Sequence, residues 1–158
     1  MLQGMRNLDV IGEQRRAMAK THLGDIRRLD RELKANKQAI RTAVTATGTT
    51  VTDVYGVGPI VAAFVVGYSG DITRFATAGH YASSNGGKKK HRLSLRGNRK
   101  LNHAIHMAAV TQIQYPDTPG RVYYDKKRAE GKTKKEALRA LKRRISDSVY
   151  QHLVAYQN

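Results

Sequence analysis

Apolar residues recur at helical spacing through residues 13–46, a stretch with no proline and a single glycine. Ile26, Leu29, Leu33 and Ile40 are separated by three, four and seven positions, and Ala43 extends the stripe. Arg27, Arg28, Asp30, Arg31, Glu32, Lys34 and Lys37 occupy the other faces. Asn36 falls on the seam, as register-setting Asn residues do in coiled coils. The pattern predicts one long amphipathic helix, which either pairs with another helix as a coiled-coil arm or packs back on its own domain.

Gly48-Thr49-Thr50 ends that helix, and Thr50 or Thr52 can cap a short helix closing at Tyr55. Pro59 then suits the first turn of a second helix, where a missing N–H costs nothing. The β-branched run Val61–Tyr68 therefore reads as helix despite its strand propensity. Ser69-Gly70-Asp71 ends it, Phe75 and Tyr81 anchor the following turns, and Thr77 can cap a brief helix through Ser83. Asn98 can cap a helix over 99–115 with Leu101, Ile105 and Ala108 inward, leaving Arg99, Asn102, His103 and His106 on the open side. Pro116 to Gly120 reads as a turn, then comes a short helix with Val122, Tyr123 and Tyr124, closed by Gly131. Thr133 and Glu136 form a capping box for a last helix with a stripe of Leu138, Leu141, Ile145, Val149 and Leu153. The expected fold is all-α: a coiled-coil-like helix over residues 1–47, then a helical domain over 48–158 with a helix-hairpin-helix at 50–69.

Composition narrows the partners. The 158 residues contain 29 Lys plus Arg against 12 Asp plus Glu, a formal net charge of +17, with no Cys and no Trp. At 40% hydrophobic and 26% charged the chain can bury a core as one domain, or as one domain with an appended helix. Its charge attracts polyanions, nucleic acid before an anionic membrane surface. The longest uncharged apolar stretch, Val61–Tyr68, is too short to span a bilayer, so a soluble, cytoplasmic protein is expected. Disulfides and thiolate metal sites are excluded, and the six His residues lack metal-ligand spacing. No phosphate-binding Gly-x-x-x-x-Gly-Lys-Ser/Thr loop occurs. No metal site or cofactor is expected in this chain.

Two segments carry candidate chemistry. In Tyr55-Gly56-Val57-Gly58-Pro59, Gly56 and Gly58 permit positive φ and close approach, and the amides of the second helix offer an anion seat, although such a hairpin can also merely join two core helices. Residues 88–100 hold seven formal positive charges and no acid: Lys88, Lys89, Lys90, Arg92, Arg96, Arg99 and Lys100, with His91 and Ser94 among them. This run, continued by His103, reads as a phosphate-tracking loop feeding a helix. Ser94, between Arg92 and Arg96, is a candidate nucleophile in a cationic setting, or a simple helix-capping or phosphate-binding serine; Ser83 and Ser84 are weaker candidates.

Gly56-Val57-Gly58-Pro59, Gly70-Asp71-Ile72-Thr73-Arg74-Phe75, the stretch His91 to Ala104, and Tyr123-Tyr124-Asp125-Lys126-Lys127 with Gly131-Lys132 occur in an order that resembles the C-terminal domain of the IS110 family of insertion-sequence transposases. The preceding helix resembles that family's coiled-coil segment. The resemblance implies part of a DNA recombinase guided by a structured bridge RNA, with DNA and that guide RNA as partners and self-association through residues 13–46. It also implies an acidic RNase-H-like domain binding Mg2+, a feature these residues do not contain, since the 12 acids are scattered singly. Activity of this chain alone is not expected. Family members place a Pro-containing, Ser-Gly stretch before the basic run, whereas Gly86 here leads directly into Gly87-Lys88. The family's nucleophilic serine belongs to that missing stretch, which leaves Ser94 as the candidate here. The alternative is a non-catalytic architectural or regulatory DNA-binding module; a weaker one is an RNA chaperone.

Overall fold

A computed structural model describes the backbone of residues 2–85 and 98–157, and the side chains of residues 10–82 and 98–156. Among the described residues every regular element is helical: α1 (Leu2–Ala46), α2 (Pro59–Ser69), α3 (Ala78–Asn85), α4 (Arg99–Gln114), α5 (Pro119–Ala129) and α6 (Lys134–Gln157). Two single 3₁₀ turns, Val51–Asp53 and Ile72–Arg74, join α1 to α2 and α2 to α3. The chain divides into two units, residues 1–39 and 40–158.

The first unit is helix alone. From residue 10 to 39 its side chains are exposed almost throughout, including Ile26, Leu29 and Leu33, each more than half accessible. Arg28 bridges Asp25 at 3.3 Å and Glu32 at 3.0 Å along the helix surface. Such exposed pairs contribute only about 0.3–0.5 kcal/mol each.

The second unit begins with the last turns of α1, where Ile40 and Val44 dock one turn apart and Ala43 stays exposed. The expected stripe thus ends at Val44 rather than Ala43, because only the i, i+4 pair faces the core. α4 is the central helix, packing on α2, α5 and α6. Its inner face is small, with Ala104, Ala108 and Ala109 between Leu101 and Ile105, so neighbouring helices approach closely. α6 buries Ala137, Leu141, Ile145, Val149 and Leu153, while Leu138 is half-buried at the margin. Each fully buried Leu, Ile or Val contributes about 1.5–3 kcal/mol.

Val61–Tyr68 is helical as expected. Ala62, Val65 and Ser69 are buried while Ile60, Gly67 and Tyr68 are exposed, a period that only a helix satisfies. Tyr81 of α3 is fully buried, hydrogen-bonded to Ser69 at 2.9 Å and edge-on to Phe75 at 5.1 Å; Tyr150 donates to the Phe75 carbonyl at 2.9 Å. These contacts tie the Gly70–Phe75 connection to α6.

Local caps set the other ends. Thr77 Oγ1 accepts from the His80 amide at 3.1 Å at the start of α3, and Thr133 and Glu136 bond reciprocally as the capping box requires. Two expectations change. The short helix ending at Tyr55 is a single 3₁₀ turn, and Thr50 at its N-cap makes no cap bond, its hydroxyl going instead to His152 Nδ1 at 2.8 Å. Gly120 lies inside α5 and not in the turn, because Thr118 caps the helix with Pro119 in its first turn; it is buried, and a Cβ there would collide with the Gln112 side chain.

Candidate nucleic-acid interface

The two hairpin glycines have different physical reasons. Gly56 adopts φ +82°, and a Cβ on it would lie 2.7 Å from the carbonyl oxygen of Ala108 in α4. It is required for packing as much as for the turn. Gly58 has φ −72°, so it does not use the positive φ that glycine permits, and a Cβ there would meet nothing within 4 Å. Between them Val57 is buried and its amide donates to the Val54 carbonyl at 2.9 Å. Gly58 is the N-cap of α2, with its carbonyl accepting from the Ala62 amide at 2.9 Å, and no side chain caps this end. Gly58 and Ile60 are exposed, so the first-turn amides of α2 emerge at the surface with the helix dipole behind them.

Of the basic run, Lys88, Lys89, Lys90, His91, Arg92, Ser94 and Arg96 lie outside the described residues, as does the Gly86-Gly87 junction. The side chains of Ser83 and Ser84 are likewise outside them. Arg99, Lys100 and His103 are described and exposed on the outer face of α4. The start of α4 is internally satisfied: Asn98 Oδ1 accepts from the amides of Lys100 at 3.0 Å and Leu101 at 3.1 Å. Phosphate contact at this end would therefore come from side chains.

The structure adds residues that periodicity did not reveal. Lys142 of α6 donates to Asn102 Oδ1 of α4 at 2.6 Å, a bond spanning forty residues of sequence. Burial, then the charge of Arg139, pushes the Lys142 pKa down. Burial likewise lowers His106, reinforced by Lys142 and then by His103. The one sequence signal for Lys142 is its position beside Leu141, which forces it onto the edge of the apolar stripe. Nothing local announces Asn102 as its partner.

Several of the acids of the second unit are committed elsewhere. Arg121 bonds Asp125 at 2.7 Å, Lys127 bonds Glu130 at 2.7 Å, and Arg143 bonds Asp147 at 3.0 Å. Asp71 accepts from the backbone amide and hydroxyl of Thr73, which hold its carboxyl below the ordinary range. Among the described residues no three His, Asp or Glu side chains converge as metal ligands, and no helix is long and apolar enough to cross a membrane. The arrangement that remains is a helical body with a glycine turn at Gly56–Gly58 and a face of α4 that exposes Arg99, Lys100 and His103.

This chain carries a transposase domain. Residues 48–125 match the Transposase IS116/IS110/IS902 family and form a domain of that family. It is 31% identical to an uncharacterised 44.8 kDa protein of insertion element IS116 from Streptomyces clavuligerus, over 79% of this chain and 34% of that protein. It is 37% identical to a 43.6 kDa protein of insertion element IS110 from Streptomyces coelicolor, over 61% of this chain and 26% of that protein. The matched part thus spans about a third or less of each relative's length.

Proposed function

We propose that this chain is the nucleic-acid-holding, C-terminal part of an IS110-type transposase acting on DNA in the cytoplasm with a structured guide RNA. The observation that carries the reading is the unneutralised charge of α4. From Arg99 to Gln114 the helix has no acid, and Arg99, Lys100 and His103 are exposed directly after a run of cations. The hairpin at Gly56–Pro59 supplies a second contact, through the uncapped amides of α2. The exposed stripe of α1 supports self-association through residues 13–46.

In this reading Mg2+ chemistry belongs to an acidic domain of the longer protein, because among the described residues no three His, Asp or Glu side chains converge as metal ligands. Ser94 is the serine in this chain flanked by cations. As nucleophile its hydroxyl oxygen would replace one ester oxygen at a DNA phosphate, with the released strand end taking up the proton.

The test is binding of a DNA duplex and of an RNA hairpin by fluorescence anisotropy across a salt series. Affinity is expected to fall steeply with salt, and Lys88→Ala and Arg92→Ala each to reduce the log–log slope by about one. A salt-insensitive complex, or no complex, would overturn the reading.

A further inference from the structure

We propose that the junction of α4 and α6 is a separate seat for one backbone phosphate of the bound nucleic acid, held by Lys142, His106 and Arg139, with His103 and Arg99 at its rim. The proposal rests on the nucleic-acid reading above and assigns it a site outside both the hairpin and the 88–96 run.

The argument begins with what this junction lacks. α4 contains no Asp or Glu, and α6 contains only Glu136 and Asp147. Glu136 is used in the capping box and Asp147 is held by Arg143. Lys142 is half-buried, yet its hydrogen-bond partner is the neutral amide oxygen of Asn102. A partly desolvated ammonium without a counter-ion is unfavourable, and neighbouring like charges make it more so. Elsewhere this chain supplies carboxylates at i, i+3 and i, i+4 to exposed cations that need them far less. A folded chain that collects cations around one lysine and leaves them without an acid is complementary to an anion from outside.

The geometry suits a phosphodiester oxygen. Asn102 fixes the Lys142 ammonium through one of its three N–H donors, so its direction is set before the ligand arrives. His103 and His106 lie one turn or less from Asn102 on the same side of α4, and Arg99 begins that row.

Phosphate binding here would draw a proton onto His106. The groups acting on His106 are Lys142 of α6 and His103 of its own helix, with Arg139 acting on Lys142. α2 carries no charged residue; His80 of α3 stands edge-on to Phe75; Arg121 of α5 is bound to Asp125 and to the Ile113 carbonyl. Burial, and after it charges that are all positive, resist protonation of His106 in the free protein, and a seated phosphate offsets the charge part of that resistance. Affinity should therefore rise as pH falls through the His range.

The experiment titrates the 158-residue chain with a fluorescent DNA duplex, and in parallel an RNA hairpin, over salt and from about pH 5.5 to 8, a range that brackets the ordinary His pKa. Lys142→Met keeps the apolar stem, and His106→Gln keeps a polar ring-sized group; both are checked for native helicity. The expected result is a salt slope lowered by about one in Lys142→Met and loss of the pH dependence in His106→Gln, on DNA, RNA or both. Wild-type binding with its salt slope and pH profile unchanged in both variants would overturn the seat while leaving the broader reading intact. No binding of either nucleic acid by the wild type would overturn both.

Discussion

At Gly56 a methyl group would strike the Ala108 carbonyl and strain a left-handed backbone; at Gly58 it would meet open space. Gly56→Ala is therefore expected to destabilise the second unit by about 2 kcal/mol or more, whereas Gly58→Ala should cost under about 1 kcal/mol, both read from urea unfolding. Weakened DNA binding by folded Gly58→Ala would assign the exposed amides of α2 to phosphate contact. Gly120→Ala must displace the Gln112 side chain, which holds the Tyr55 carbonyl at 2.6 Å, and is expected to lose about 1–3 kcal/mol. His106 adds a pH term. Its pKa is lower folded than unfolded, so as pH falls toward and below its ordinary value of about 6.5 the unfolded chain takes the proton first and stability declines. His106→Gln should flatten the urea midpoint over that window; an unchanged profile would show that another group titrates there.

Helix ends were legible because their causes are local. Asn98, Thr77 and the Thr133–Glu136 pair each satisfy amides two or three residues away, and Gly70 and Gly131 take the positive φ that ends a helix. Thr133→Ala should cost α6 about 1 kcal/mol, visible as a lowered urea midpoint. What periodicity could not reach depends on another element. Gly120 is small because of Gln112, Val44 rather than Ala43 faces inward because of the body it docks on, and Asn102 meets Lys142 only through packing of α4 on α6. The candidate site was legible as a charge pattern through Arg99, Lys100 and His103, but its α6 half was not. For α1, sedimentation of Ile26→Asp with Leu33→Asp should yield monomers if the exposed stripe is the self-association seam. Unchanged association would place that contact elsewhere.

For the whole molecule, an excess of 17 positive charges requires that binding be read against ionic strength, since affinities at one salt concentration carry no comparison. The division into residues 1–39 and 40–158 also gives the molecule two optical windows. All eight tyrosines lie beyond residue 40 and there is no tryptophan, so aromatic circular dichroism and tyrosine emission report on the second unit alone. Tyr81, enclosed and bonded to Ser69, should lose its near-ultraviolet band as that unit melts. Peptide-band ellipticity sums both units, so heating followed at the two wavelengths would separate unwinding of the arm from collapse of the body in a single unlabelled sample.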